Sequence, residues 1–214
     1  MRLFVMILSI FISACSLKPD LVEEPKSYSL AIFDNEYYKD KIRAGIKTPY
    51  DKMLKINNKK SIQILNIESP FYLKTNKIYY SNGVIFDSYN KHIFSDSPVN
   101  FFKNKLKNSL ENSNTFNAVF DFTVNANADY FLVADFQKFQ KVFYENSKSY
   151  VESKLTVFLI ESKSKKVISH QSFIIIEVLA SEDINELITT FNNVLESLVD
   201  RSTVWINKEI KKME

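Results

Sequence analysis

The chain has 214 residues, with 28 basic against 25 acidic side chains and a formal net charge of +3. That balance leaves no electrostatic footprint for nucleic acid, and the length suits a single domain able to bury a sizeable core. Only two glycines occur, Gly45 and Gly83, so the clustered glycines that let backbone amides cradle a phosphate are missing, which argues against a nucleotide-binding loop.

Met1-Arg2 carries one positive charge, Leu3 to Ile12 is apolar apart from Ser9, and Ile12-Ser13-Ala14-Cys15 follows. A charged start, a short apolar run and a small-residue exit make a secretory signal, too short to span a bilayer comfortably. The four residues ending at Cys15 resemble the lipobox of bacterial lipoproteins. That resemblance implies cleavage before Cys15, a diacylglycerol thioether on its sulfur and further acylation, for example by palmitate. The plainer reading is an ordinary signal peptide beside an incidental cysteine. Cys15 is the only cysteine in the chain, which fits a protein with no disulfide and one thiol left for acylation. One acyl chain holds a protein marginally, whereas several anchor it firmly. Ser16 follows, where lipoproteins retained at the inner membrane of enteric-type bacteria usually carry aspartate, and this favours the periplasmic face of the outer membrane over the inner membrane. Cleavage removes Arg2 and leaves 200 residues with a net charge of +2.

Residues 15–27 read as a lipidated tether, polar and punctuated by Pro19 and Pro25, and residues 28–214 as one periplasmic domain. The twelve residues 16–27 span about 40 Å at full extension. Tyr28 to Phe33 alternates as a first strand, and 35–60, charged and holding Pro49, shows no period and reads as a loop. Ile62, Ile64, Leu65 and Ile67 predict a second strand ending at Ser69-Pro70. Lys77 to Phe86 predicts two short strands around Asn82-Gly83, a dipeptide whose residues tolerate positive φ.

Ser97 and Pro98 then give a cap and a first helical position, and Val99, Phe102, Leu106 and Leu110 form an apolar stripe that stops at Asn112-Ser113-Asn114. Residues 129–180 predict an antiparallel meander, with strands around Tyr130–Phe136, Leu155–Ile160 and Phe173–Leu179, separated by polar turns at 145–148 and 161–166. These strands are apolar on both faces in places, so both sides of the sheet are expected to be covered. Ser181 is a candidate cap for a long last helix, with Glu182 and Asp183 at its positive end and Lys208, Lys211 and Lys212 at its negative end. Ile184, Leu187, Ile188, Phe191, Val194, Leu195, Leu198, Trp205 and Ile206 form its buried stripe, interrupted over Asp200–Thr203. The pattern is that of an α+β fold: a mostly antiparallel β-sheet packed by two helices, at about 98–113 and 182–210.

Nothing in the sequence recommends an enzyme. His92 and His170 are far apart and outside any metal-binding spacing, and both read as surface or turn residues. Asp34, Asp87, Asp96, Asp129 and Asp135 are scattered, without a second motif to pair them for acid–base chemistry. No cofactor or metal site is expected.

One resemblance rests on order and spacing. Ser69-Pro70-Phe71-Tyr72-Leu73, Lys77-Ile78-Tyr79-Tyr80, Tyr89-Asn90-Lys91-His92, Pro98 with its helix to Leu110, and Phe116-Asn117-Ala118-Val119 follow one another closely. The series resembles the ABC-type transport auxiliary lipoprotein family, over roughly residues 28–206 and most sharply over 62–119. Thr75-Asn76 stand where that family tends to have Asp-Arg, and Ile93-Phe94 where it tends to have Arg-Trp. The resemblance implies a non-enzymatic partner of an Mce-type phospholipid transporter. The Mce-domain protein, the ABC permease and the ATPase would be separate chains, and this lipoprotein, singly or as a ring of copies, would dock the lipid conduit at the outer membrane. Phe71, Tyr72, Tyr79, Tyr80 and Phe94 are candidates for the partner or lipid contact, against the plainer alternative of core packing. Two rivals stand beside it: an envelope-assembly lipoprotein serving lipopolysaccharide or outer-membrane protein insertion, and a periplasmic enzyme.

Overall fold

A computed structural model describes residues 24–30, 60–124, 126–144 and 148–213. Cys15, the signal segment, the tether as far as residue 23, the loop 35–59, Asp34 and the turn at 145–147 lie outside the described residues. The elements in chain order are β1 Lys26–Tyr28, β2 Ser61–Glu68, a 3-10 turn Phe71–Lys74, β3 Lys77–Asn82, β4 Ile85–Phe94, α1 Pro98–Asn112, β5 Ala118–Asp121, β6 Tyr130–Tyr144, β7 Lys148–Glu161, β8 Val167–Val178 and α2 Ile184–Lys211. The architecture is α+β: among the described residues, one eight-stranded mixed sheet is packed by two helices.

The sheet is organised by β6. Its one edge pairs along its whole length with β7 in antiparallel register, from Tyr130↔Glu161 to Tyr144↔Lys148, and β7 pairs antiparallel with the edge strand β8. Its other edge is shared end to end by two parallel strands: β2 takes the first half, with Ile62↔Tyr130, and β3 the second, with Tyr80↔Lys141. β5 adds to β2, and β4 then β1 add to β3. The expected meander is therefore present as β6–β7–β8, and it holds the long ladders, while β2 and β3 join β6, β5 joins β2 and β1 joins β4 in parallel. A bulge lies between Phe136 and Lys138. The extra residue restores parity, so that Phe136 and Phe139 both point into the core, 0% and 2% exposed.

Local chemistry explains the helices. Ser97 Oγ accepts from Asn100 N–H at 3.3 Å and Pro98 opens α1, which buries Phe102, Leu106 and Leu110 at four-residue spacing. Asn114 follows with φ 56°, the left-handed conformation that asparagine tolerates at a helix end. In α2 the cap is Asp183, not Ser181: its carboxylate accepts from Asn185 N–H at 2.8 Å. The expected interruption at Asp200–Thr203 does not break the helix. Ser202 and Thr203 are buried, Ser202 Oγ donates to Leu198 O at 2.7 Å, and Thr203 Oγ1 bonds Ser109 Oγ of α1 at 2.9 Å. Small hydroxyls thus continue the stripe where the two helices meet.

Both helices cover one face of the sheet. Phe191 of α2 meets Phe94 at 5.3 Å and 89° and Phe139 at 4.9 Å, while Phe102 of α1 meets Phe136 at 5.4 Å. Such tilted and edge-on pairs suit the ring quadrupole and fill the core between Ile62, Ile64, Leu155, Val157 and Leu195. The other face differs from the expectation of cover on both sides. Among the described residues, Ile174, Ile176 and Val178 of β8 stand exposed on it, at 58%, 58% and 64%.

Candidate functional site

The candidate residues divide between the two faces of the sheet, and the tip of the β3–β4 hairpin makes a third place of interest. Tyr72 and Tyr79 lie on the face away from the helices. Pro70 ends the extended run after β2, and the 3-10 turn lays the Tyr72 ring against Tyr79 at 5.2 Å and Phe86 at 5.0 Å, while Tyr79 stacks on Phe86 at 5.2 Å and 11°. Burial, helped by the negative charge of Glu152, pushes the Tyr72 phenol up to about 12. Phe71 beside it is 80% exposed.

Tyr80 points to the opposite face. Its ring meets Tyr89 at 5.3 Å and Phe143 at 5.6 Å, edge-on to both. This group encloses Lys141, whose side chain is 2% exposed. Its ammonium lies 4.1 Å from the Phe143 ring centroid, donates to Tyr89 Oη at 3.2 Å, and pairs with the Glu182 carboxylate between β8 and α2. Desolvation would raise the Glu182 carboxyl, but the hydrogen bond and charge of Lys141 outweigh it and hold the group below its ordinary 4.5. Sequence reasoning missed Lys141, although the signal was present: Phe139, Lys141 and Phe143 recur at period two, which puts a lysine at a core position. Phe94 is 1% exposed in the aromatic core and offers no surface to a partner or a lipid.

The third place is the tip of the β3–β4 hairpin. Asn82 pairs with Ile85, so the two central turn residues are Gly83 and Val84, one position later than Asn82-Gly83 suggested. Gly83 has φ 58° and Val84 is not among the positive-φ residues, the pattern of a turn with glycine first. The shift places Val84 at the apex, fully exposed, followed by Ile85 at 57% and Phe86 at 47%.

The histidines stay apart. His92 Nδ1 lies 3.2 Å from Tyr28 Oη on the β1–β4 side, and His170 stacks on Phe158 on β8. Asp129 is structural, its carboxylate accepting from Ser61 N–H at 2.7 Å and Ser61 Oγ–H at 2.8 Å to join the starts of β2 and β6. Asp96 and Asp135 accept from neighbouring side chains at 2.8 Å and 2.6 Å, and Asp87 accepts from Ser88 N–H at 2.7 Å. Among the described residues, no group of three or more His, Cys, Asp or Glu gathers to hold a metal, and no helix is long and apolar enough to cross a membrane.

Neither a protein-family profile nor a curated protein matches the sequence. Solved structures do. Protein XCC0632 from Xanthomonas campestris, described as DUF330, superposes with a TM-score of 0.68 at 14% identity, over 72% of this chain and 87% of that one. The fold is shared with a DUF330 protein. A hypothetical protein from Chlamydia trachomatis gives 0.51 at 9% identity over 72% and 98%, and an uncharacterized protein gives 0.54 at 12% over 69% and 92%.

Proposed function

We propose that this chain is a non-catalytic, lipid-anchored envelope lipoprotein of an ABC/Mce-type phospholipid transport system, docking the periplasmic lipid conduit at the outer membrane. The observation that carries the reading is the order of the 69–119 motifs, which fall on consecutive elements of a fold shared with a DUF330 protein. Ser69-Pro70 closes β2, Phe71–Leu73 forms the turn, Ile78–Tyr80 lies in β3, Tyr89–His92 in β4, Pro98 opens α1, and Ala118-Val119 begins β5. The lipobox-like residues before Cys15 support the anchor.

A phospholipid crossing the periplasm needs its acyl chains shielded, at about 0.8 kcal/mol for each exposed CH₂. A docking protein seals the mouth of an apolar conduit with side chains that tolerate both water and lipid. Phe71, Tyr72 and Tyr79, backed by Phe86, form such a surface.

The test is mild crosslinking of the membrane-anchored protein, followed by pull-down and mass spectrometry of proteins and lipids. An Mce-domain protein recovered with phospholipid is the expected result, and outer-membrane assembly factors alone would overturn the reading. Cys15→Ser is expected to release the protein from the membrane and abolish its function. Full activity of that variant without membrane association refutes the anchored role.

A further inference from the structure

We infer that the β3–β4 hairpin tip is a membrane-contacting element, with Val84, Ile85 and Phe86 entering the apolar edge of a phospholipid leaflet. Two independent observations meet here. The first is composition. A two-residue turn ordinarily carries polar residues, yet this one presents valine at its apex, 102% exposed, with Ile85 and Phe86 behind it. The ends of the neighbouring strands add to the same end of the sheet. Asn82 pairs with Phe143, Tyr144 follows at 64% exposure, and Tyr150 pairs with Val178, also 64% exposed. Of the twelve large apolar side chains exposed among the described residues, five belong to this end: Val84, Ile85, Phe86, Tyr144 and Val178. Tyrosines beside an apolar tip match the lipid–water boundary, where an amphipathic ring has one side in each medium.

The second observation is the direction of the chain. β1 runs parallel to β4, with Lys26 opposite His92, and β4 starts at the tip. The chain therefore enters β1 from the hairpin side. Ile85 lies seven residues before His92, or about 23 Å along the strand. Cys15 lies eleven residues before Lys26, a reach of about 36–40 Å at full extension. An anchored Cys15 can thus sit level with the tip or beyond it, and the apolar tip meets the leaflet that holds the anchor. The opposite end of the sheet is the more basic: Lys163, Lys165 and Lys166 stand exposed at the β7–β8 turn, against Lys148 among the described residues of the tip end. The occupant is a lipid surface, because one apex and flanking tyrosines make a shallow convex tip, which fits a fluid leaflet better than it fills a protein groove.

The inference uses the Cys15 anchor of the proposed function for its direction, so the test includes an arm without it. Tryptophan replaces Val84, or Lys163 at the far end, in the full mature chain carrying Trp205→Phe, so that each probe is the single tryptophan. One set is acylated and reconstituted into phospholipid vesicles; a second carries Cys15→Ser and an N-terminal hexahistidine tag held by nickel-chelating lipids. Brominated phospholipid is expected to lower the emission at position 84 by about twofold relative to unbrominated vesicles, and to leave position 163 unchanged. Adding Ile85→Asp to the position-84 probe is expected to abolish that quenching, with the far-ultraviolet dichroism unchanged because the Ile85 side chain is exposed.

Equal emission at position 84 in both lipids, or equal quenching at 84 and 163, overturns the inference. Mass analysis of Cys15 separates the two readings. Quenching in the tagged arm with an unacylated native cysteine sinks the anchor and leaves the tip. An acylated cysteine with no quenching in either arm sinks the tip and leaves the anchor.

Discussion

Lys141 offers a quantitative test of how this fold tolerates a buried charge. Its side chain is 2% exposed, whereas that of its partner Glu182 is 47% exposed, so the pair is neither a surface bridge nor a fully buried one. Exposed pairs contribute about 0.2–1 kcal/mol, and removing one partner of a fully buried pair costs about 3–5 kcal/mol. Glu182→Gln keeps an acceptor but removes the charge, and water reaches that side of the pair, so the expected loss is about 1–2 kcal/mol. Lys141→Met removes the desolvated charge while keeping its packing against Phe143 and Tyr89, and is expected to change stability by less than about 1 kcal/mol in either direction. The double variant should match Lys141→Met alone, since the glutamate has then lost its reason to matter.

Urea unfolding at neutral pH measures all three, with the slope unchanged. The pH dependence follows from the depressed Glu182 carboxyl. A folded-state value below the ordinary 4.5 gives stability that is complete above that pH and is lost as pH falls through the folded value. The gap between the native chain and Glu182→Gln should therefore be constant near neutrality and close in acid. A native-like Glu182→Gln beside a Lys141→Met that loses more than about 2 kcal/mol would refute the reasoning, because the Lys141 ammonium would then act through Tyr89 and Phe143 and not through Glu182.

Three further outcomes are expected. Phe94→Ala removes a ring that touches Phe101, Phe139 and Phe191, and should cost about 3–5 kcal/mol, seen as a fall of about 10 °C in Tm by calorimetry. Asp129→Ala leaves the amide of Ser61, 8% exposed as a residue, without its carboxylate, and should cost about 1–3 kcal/mol in urea unfolding, with hydrogen exchange at Ser61 accelerated. Gly83→Ala meets open space but must adopt φ 58°, so about 1 kcal/mol should be lost from backbone strain alone, and Gly83→Asn should lose less.

Local signals in the sequence were sufficient for the two helices and for the middle of the β6–β7–β8 meander, but not for β5 or for the full lengths of β4, β6 and β7. Ser97-Pro98 and the four-residue stripe specify α1 because a cap and a helical face involve residues within one or two turns of each other. Alternation specifies β6, β7 and β8 for the same reason, and the polar turns between them make antiparallel pairing the short route. Tyr72, Tyr79 and Tyr80 stood out as aromatics in a motif, but the sequence could not tell that Tyr80 faces the helices and Tyr72 the opposite side. Phe94 looked the same as its neighbours and proved to be core.

What only the tertiary structure decided is which edges meet. Side-chain period two says which residues share a face, never which strand lies alongside, so the division of one β6 edge between β2 and β3 and the parallel entry of β1 beside β4 left no trace in any short window. The turn register behaves likewise. Asn82-Gly83 and Gly83-Val84 are both acceptable hairpin centres, and the pairing of β3 with β6 on one side and β4 on the other selects the second. That selection puts Val84 at the apex. Lys141 follows the same logic: its position is written in the alternation of β6, but its partner arrives from the β8–α2 connection, 41 residues later, once the sheet has folded.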